Sequence, residues 1–322
     1  MNLIIGHHIG TTHGFRTTVD YAIKTGSNIF QLFLKSPQAF RSPRRKKEDL
    51  LYVRKKAEEN GIQIVVHASY LLNFCNDPDS KIYKNATKSL VNDLLDGEIL
   101  GSIGTIIHMG KKCKLDEETA FQNYIKGVRE CLKATDKKGC KQKILFETGA
   151  SQGSEICSKI EGLKKIWDEF TDKEKERLGF CIDTCHIFAT GYDIRNRQSI
   201  NEFYKKFNSL IGWEHVVCVH FNDSKKGLAC CVDRHADIGK GDIGKHGLKL
   251  FAKMCVKTGK PIILETPSHY YTEDWQIVDD YRPKNDFLYY RFSHEDQVNK
   301  VKSWINKKAV KAFLSTPAAT EI

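Results

Sequence analysis

The sequence predicts an α/β chain folded as one (β/α)8 TIM barrel. Two observations predict it. Eight short, continuous apolar runs alternate along the chain with longer stretches of helical periodicity, the order of an eightfold strand–helix repeat. Six consecutive runs, the third to the eighth, end on a His or a carboxylate. In a barrel those ends form one ring at the C-terminal face, where active sites of this fold lie. The length of 322 residues suits either one large barrel or two ordinary domains and does not decide.

The strand runs are 3–6, 28–33, 62–67, 103–108, 143–147, 179–183, 215–220 and 261–265. They are continuous rather than alternating, as expected of parallel strands buried on both faces. Between them lie amphipathic stretches at 14–25, 47–59, 83–100, 116–136, 156–170, 200–210, 246–257 and 294–311. In 246–257, Leu248, Phe251, Ala252 and Cys255 follow i, i+3, i+4, i+7 spacing and make one apolar face. The pattern cannot show whether the sheet closes. The barrel domain is expected over 1–311. Within it, 267–293 is rich in Tyr, Asp and Pro and reads as a long loop or insertion after the last strand. The stretch 312–322 reads as a disordered tail.

Composition narrows the class. Hydrophobic residues make up 40% and charged residues 28%, ordinary for a globular domain. No apolar run approaches the roughly 18 residues of a membrane span. The first residues, Met1 to Gly6, lack the basic and apolar regions of a signal peptide. There are 11 cysteines, and Cys181, Cys218 and Cys255 sit inside apolar runs. That reads as buried thiols in a reducing, intracellular compartment, cytoplasm or nucleus. No Cys-x2-Cys pair has a partner pair, so a zinc finger is not supported. A net charge of +11 and a pI near 9.0 point to a polyanionic partner.

The run ends carry the chemistry. They are His67, His108, Glu147, Asp183, His220 and Glu265. His186 follows Asp183 at i+3. Asp233 and His235 flank Arg234 in the next loop, and at i and i+2 of extended chain they face the same way. Imidazole and carboxylate ligands suit Zn2+ or Mn2+, and nine of them suffice for more than one metal. Several loops of the same face are basic. The loop after the second strand holds Lys35, Arg41, Arg44, Arg45, Lys46 and Lys47; Lys111 and Lys112 follow the fourth strand, and Lys225 and Lys226 the seventh. A positive rim around a metal centre suits a phosphodiester. Tyr70, Leu71 and Phe40 lie on these loops, where an aromatic or Leu can wedge into a base stack.

At these residues the chain resembles the endonuclease IV family of apurinic/apyrimidinic (AP) endonucleases. The resemblance runs from about Ile5 to Glu265. It is carried by HASYLLN at 67–73, FETGASQG at 146–153, CIDTCHIFATGYD at 181–193, HFNDSK at 220–225 and VDRHADIGKGDIG at 232–244. It implies a TIM barrel with three zinc ions at the strand ends. His67 and His108 would bind one, Glu147 would bridge it to a second completed by Asp183, His220 and Glu265, and His186, Asp233 and His235 would hold the third. His8 matches a family histidine and is a candidate for a supporting role behind the ligands. Tyr70 and Leu71 match residues that the family inserts into the duplex. Where the family often has an Arg after the second strand, this chain has Gln38, so Gln38, Phe40 or Arg41 is left to fill the gap in the stack. Lys225 is a further candidate DNA contact.

The implied activity is repair of double-stranded DNA by a monomer. The phosphodiester 5′ to an abasic site would be cut to leave a 3′-hydroxyl, with Glu147 positioning the attacking water, and 3′-blocking groups would be removed. The rival on the same barrel is a sugar isomerase or epimerase, which normally uses one or two divalent metals. A non-catalytic DNA-binding or metal-storage barrel is a weaker rival, because no ligand of the set is missing.

Overall fold

Continuous aliphatic runs have no polar face to offer water, so their strands must be covered on both sides. The computed structural model shows how, and it describes residues 3–40, 44–266, 270–271, 277–278 and 290–305. Eight parallel strands close into a barrel: β1 (Ile5–His8), β2 (Ile29–Phe33), β3 (Gln63–His67), β4 (Thr105–Ile107), β5 (Ile144–Glu147), β6 (Leu178–Asp183), β7 (Val216–His220) and, after the two-residue strands β8 (Asp223–Ser224) and β9 (His235–Ala236), β10 (Ile262–Leu264). Each pairs with its neighbour in sequence, and β10 closes the ring onto β1. Strands β8 and β9 form a small antiparallel ribbon above the barrel. Beyond β10, β11 (Tyr270–Tyr271) pairs with β12 (Ile277–Val278).

The outer ring consists of α1 (Thr17–Lys24), α2 (Lys47–Glu59), α3 (Lys81–Leu100), α4 (Glu117–Asp136), α5 (Ile160–Asp168), α6 (Asp172–Lys175), α7 (Thr184–Ala189), α8 (Arg197–Leu210), α9 (Gly244–Thr258) and α10 (Tyr290–Trp304). Ser80, Asp116 and Asn196 cap α3, α4 and α8 by accepting a backbone N–H of the first turn. Aliphatic and aromatic side chains fill the layer between helices and strands. Phe146 of β5 packs against Tyr124 of α4, Phe170 and Phe180. Val298, Val301 and Trp304 of α10 are buried, and this helix packs on α9 and β1.

The barrel interior has its own apolar layer: Ile29, Val65, Ile106, Leu145, Cys181, Cys218 and Ile263, one from each strand except β1. At that level β1 contributes Gly6, in register with Ile29 and Ile263. A Cβ on Gly6 would come within 1.6 Å of the Ile29 carbonyl oxygen, so only glycine lets β1 and β2 approach. Strand side chains alternate, so the next inward layer lies two residues further along every strand. It reads His8, Gln31, His67, His108, Glu147, Asp183, His220 and Glu265.

The expected elements are present, with instructive shifts. The first strand is 5–8 rather than 3–6, with His7 and His8 inside it. His108 and Glu265 lie one residue beyond β4 and β10 rather than inside them. The expected helix 156–170 begins only at Ile160; Cys157 has φ 55°, and a Cβ on Gly162 would lie 2.6 Å from the Cys157 Cα. Helix α7 was not expected. All six of its residues are buried, so it shows no polar face and merges with the preceding strand run. All 11 cysteines are free thiols, with Cys181, Cys218 and Cys255 buried. Among the described residues no helix is long and apolar enough to cross a membrane. Most of 267–293, residues 306–311 of the last expected helix, the expected tail and Arg41 lie outside the described residues.

Candidate metal centre

The upper inward layer and the loops above it bring all nine expected ligand residues together. Four groups have ligand atoms within 4.8 Å of one another: His67, His108 and Glu147; Glu147, Asp183, His220 and Glu265; Asp183, His186 and His235; and Cys185, Asp233 and His235. Glu147 belongs to two groups. One carboxylate oxygen is 3.3 Å from both His67 Nε2 and His108 Nδ1, and the other is 2.8 Å from His220 Nδ1. Asp183 is likewise shared. Its Oδ2 lies 3.9 Å from His220 Nδ1, 4.0 Å from His186 Nε2 and 3.7 Å from His235 Nε2. Asp233 Oδ1 completes the outer set, 3.2 Å from His186 Nε2 and 3.1 Å from His235 Nε2.

Neighbouring groups aim the imidazoles. His67 Nδ1 donates to the Ala68 carbonyl (2.7 Å) and His186 Nδ1 to the Thr148 carbonyl (2.7 Å). That leaves Nε2 of each ring facing the carboxylates, the arrangement typical of metal-bound histidine. His220 is held the other way round: its Nε2 donates to Gln31 Oε1 (2.7 Å), so Nδ1 faces the centre. Gln31 Nε2 in turn donates to Glu265 Oε1 (2.6 Å) and to His8 Nδ1 (3.2 Å). Asn222 supports from the opposite side. Its Nδ2 donates to Asp183 Oδ2 (2.7 Å) and Glu265 Oε2 (3.3 Å), and its Oδ1 accepts from Glu265 N (3.0 Å). Gln31 and Asn222, both fully buried, were not singled out in the sequence. Register could have found Gln31, which stands two residues beyond Ile29 as His67 stands two beyond Val65.

The electrostatics of this layer oppose burial to mutual attraction. Burial pushes the Glu147 carboxyl up, but His108 and His220 outweigh it and hold it well below the usual carboxylate range. Glu265 is likewise brought down to about 2 against its burial, chiefly by His220. At Asp183 burial prevails and the pKa rises. Burial lowers His220, yet Glu265 and Glu147 lift it to about 10; His235 is lifted to about 9 against burial by Asp233 and Asp183. His108 is lowered by burial to about 4. These residues therefore need positive charge between them, supplied either by protons or by cations.

The donor set fits divalent metal. His186 Nε2 is buried and makes no hydrogen bond although Asp233 Oδ1 is 3.2 Å away. The two are oriented as co-ligands rather than as donor and acceptor. Imidazole nitrogens and carboxylate oxygens, with no thiolate in the first three groups, suit Zn2+ or Mn2+.

Above the centre is an open cleft of about 460 Å³, lined by Tyr70, Lys225 and Arg234 as well as the ligand residues. Tyr70 is 55% and Leu71 40% exposed. The Tyr70 ring packs on Phe33, His67 and His108 at 5.3 to 5.7 Å. Its loop is tied to the loop after β2: Tyr70 N and Ser69 Oγ both donate to the Pro37 carbonyl. That neighbouring loop carries Gln38, which is exposed, and Phe40, which packs on the core and lines an adjoining cleft with Tyr70 and Leu71.

The expected basic rim needs correction. Lys35 is partly buried, with its side chain 9% exposed, ion-paired with Asp93, and donates to the Ser89 carbonyl. Arg44 pairs with Asp96. Arg45 donates to the Leu34 carbonyl and lies over the Phe15 ring. These three cations fasten the loop after β2 to the barrel and to α3. Lys46, Lys47, Lys111, Lys225, Lys226 and Arg234 are exposed.

Comparison with known proteins agrees with this geometry. A family model described as a xylose isomerase-like TIM barrel matches residues 19–289. The putative endonuclease 4 of Acanthamoeba polyphaga mimivirus is 41% identical over 310 residues, which cover 95% of this chain and 94% of that protein. The apurinic-apyrimidinic endonuclease 1 of Saccharomyces cerevisiae is 33% identical over 266 residues, 81% of this chain and 71% of that protein. The crystal structure of endonuclease IV from Thermus thermophilus superposes with a TM-score of 0.72 at 26% identity, over 93% of this chain and 98% of that one. A barrel of this topology, crowned by His, Glu and Asp clusters able to hold metal and matched over nearly its whole length, belongs to the endonuclease IV family of AP endonucleases.

Proposed function

We propose that this AP endonuclease cuts the phosphodiester 5′ to an abasic site in double-stranded DNA, leaves a 3′-hydroxyl, and also removes 3′-blocking groups. The observation that carries the reading is the upper inward layer and the loops above it, where nine ligand-type residues converge beneath a cleft lined by Tyr70, with Leu71 in the adjoining cleft. In this reading His67, His108 and Glu147 would hold one metal, Glu147 would be shared with a second held by Asp183, His220 and Glu265, and His186, Asp233 and His235 would hold a third. Zn2+ is the expected ion, and the same ligands accept Mn2+. When bound, divalent ions supply hydroxide at neutral pH and neutralise the charge that develops on phosphate and leaving oxygen.

The chain's own groups supply the rest. Glu147, pinned between His67, His108 and His220, positions the attacking water. Lys225 and Arg234 face the cleft and attract the phosphodiester backbone. Tyr70 and Leu71 occupy the space that a missing base leaves in the duplex. An abasic site has lost stacking, so opening the duplex there costs less by a few kcal/mol. Because the Tyr70 loop is tied to the loop of Gln38 and Phe40, both strands of a widened duplex would meet one connected unit. A sugar isomerase would also use imidazole and carboxylate at strand ends. It has no need of the third ligand set or of exposed Tyr70 and Leu71.

The activity is tested with a duplex carrying one synthetic abasic site. Wild type is expected to nick 5′ to the site, and Glu147→Gln to lose on the order of 10²–10³-fold in rate. No nicking by a fully metal-loaded wild type, with ketose–aldose interconversion present, would transfer the assignment to the isomerase. The wedge is tested by binding. Tyr70→Ala should weaken binding to abasic duplex about tenfold, the lower range of aromatic–base stacking, while leaving a pre-gapped duplex less affected. Equal losses on both would remove the wedge role.

The metal assignment gives two further expectations. Gln31→Leu frees both His220 and Glu265, so metal retention against a chelator should fall about 10–100-fold; unchanged retention would show that Gln31 is packing alone. Metal uptake should also release protons. His220, near 10, and His235, near 9, carry protons at neutral pH when no cation is bound, and metal must displace them. Affinity therefore rises with pH up to about 9–10 and falls on acidification. Calorimetry in buffers of different ionisation enthalpy reads the released protons directly, and a buffer-independent heat would contradict the assignment.

A further inference from the structure

Asp223 is fully buried just past the end of β7, yet it is absent from every candidate ligand group. Five backbone N–H groups converge on its carboxylate. Ser224 (2.9 Å), Ile243 (3.1 Å) and Gly244 (3.2 Å) donate to Oδ1, and Gly239 (2.9 Å) and Gly241 (3.0 Å) donate to Oδ2. Hydrogen bonds to an ionised acceptor are roughly twice as strong as neutral ones, and a concave set of N–H groups is built for an anion. Here the anion belongs to the chain itself. The wrap is tight: a Cβ on Gly241 would lie 2.3 Å from the Ser224 carbonyl oxygen and 2.7 Å from Asp223 Oδ1. Gly241 of the GKGDIG stretch at 239–244 thus serves a close approach to this carboxylate.

The loop so gathered continues directly from β9. In the ribbon, Asp223 pairs with Ala236 and Ser224 with His235, and Lys225 N donates to the Arg234 carbonyl (2.9 Å). Asp223 therefore grips both ends of the excursion that carries Asp233 and His235. The outer side of the loop is held by α10: Ile238 N donates to Gln297 Oε1 (3.1 Å), and Lys300 Nζ donates to the Ile238 carbonyl (2.6 Å). Residues 238–244 are clamped between a buried anion and the last described helix.

We propose that Asp223 is a positioning residue for the third metal site, setting Asp233 and His235 through the N–H groups it gathers, with Gln297 and Lys300 of α10 as the outer clamp. This rests on the assignment of His186, Asp233 and His235 to a metal made above. The other two ligand groups stand on or immediately beyond barrel strands and do not depend on this loop. Loss of Asp223 should therefore act on one metal of the three.

The test loads the full-length protein with zinc, challenges it with graded chelator, and counts zinc retained per chain by elemental mass spectrometry, with Tm measured alongside. Wild type should retain three ions. Asp223→Asn keeps the shape but offers one acceptor oxygen where two served five donors. It should keep two ions at wild-type affinity and hold the third about 10–100-fold more weakly. Gln297→Met should weaken the same step by a smaller factor. An Asp223→Asn protein that loses only Tm and retains all three ions as wild type does would overturn the proposal. Should that variant not fold, an unchanged third step in Gln297→Met overturns it instead. A wild type that holds only two ions fails at the earlier step, the three-metal assignment, and is told apart from failure of the Asp223 role by that count.

Discussion

Strand alternation in a closed barrel forces every second side chain inward, and this one constraint organises the molecule. The lower inward layer, from Ile29 round to Ile263, is apolar and seals the barrel. The layer two residues higher is polar at all eight positions, from His8 and Gln31 to Glu265. Each ionised carboxylate brought into such surroundings costs several kcal/mol unless countercharge is at hand. Glu147, Asp183 and Glu265 therefore need the imidazoles beside them, and protons or cations between, to be placed there. A one-residue slip in any strand would send its polar residue outward into the aliphatic layer under the helices and an apolar one into the centre. Fold and site are fixed by the same register.

That register accounts for six of the nine candidate ligand residues. His186 comes from α7, which begins at once after β6 because Asp183 caps it, accepting from His186 N (3.0 Å). One carboxylate thus serves as helix cap and as a member of the cluster. Asp233 and His235 come from a loop and need external anchoring. The centre divides into a part held by the barrel and a part held by local hydrogen bonds. The loops after β2 and β3 are tied similarly: Lys35 with Asp93 and Arg44 with Asp96 fasten the loop after β2 to α3, and Pro37 fastens the Tyr70 loop to it. Exposed Tyr70 and Leu71 are thereby carried on a short segment tied to its neighbour.

Much of this was legible in the sequence because buried parallel strands are continuous apolar runs and a titratable residue ends such a run visibly. His67, Glu147, Asp183 and His220 announce themselves in that way. Gln31 does not, since a neutral amide inside the run NIFQLF looks like an interruption rather than a ligand support. Helix α7 was hidden because a helix buried all round loses its 3.6-residue contrast. Lys35 was misread as a rim cation because sequence gives no sign of a carboxylate 58 residues away until α3 is laid against the loop. Asp223 stood inside a motif that had been noticed, HFNDSK, yet its partners are backbone N–H groups, which leave no trace in side-chain identity. What escapes a sequence reading is the interaction whose partner is distant or is main chain.

The correction to the rim changes how the basic charge should be understood. The basic loops suggested cations ringing the site, but Lys35, Arg44 and Arg45 are engaged as structural ties. Lys225 and Arg234 remain at the cleft itself, with Lys111 on its flank. Without metal, four carboxylates at the cleft floor, Glu147, Asp183, Asp233 and Glu265, are balanced only by protons on neighbouring imidazoles such as His220 and His235. Three divalent cations would more than cancel them and turn the floor positive at the point where a phosphodiester must sit. In this chain attraction for the DNA backbone near the scissile bond would then belong to the loaded metal centre more than to the lysines. A surface charge draws DNA from a distance and is screened within about 10 Å at moderate salt. A charge at the base of a cleft acts on the phosphate that enters it.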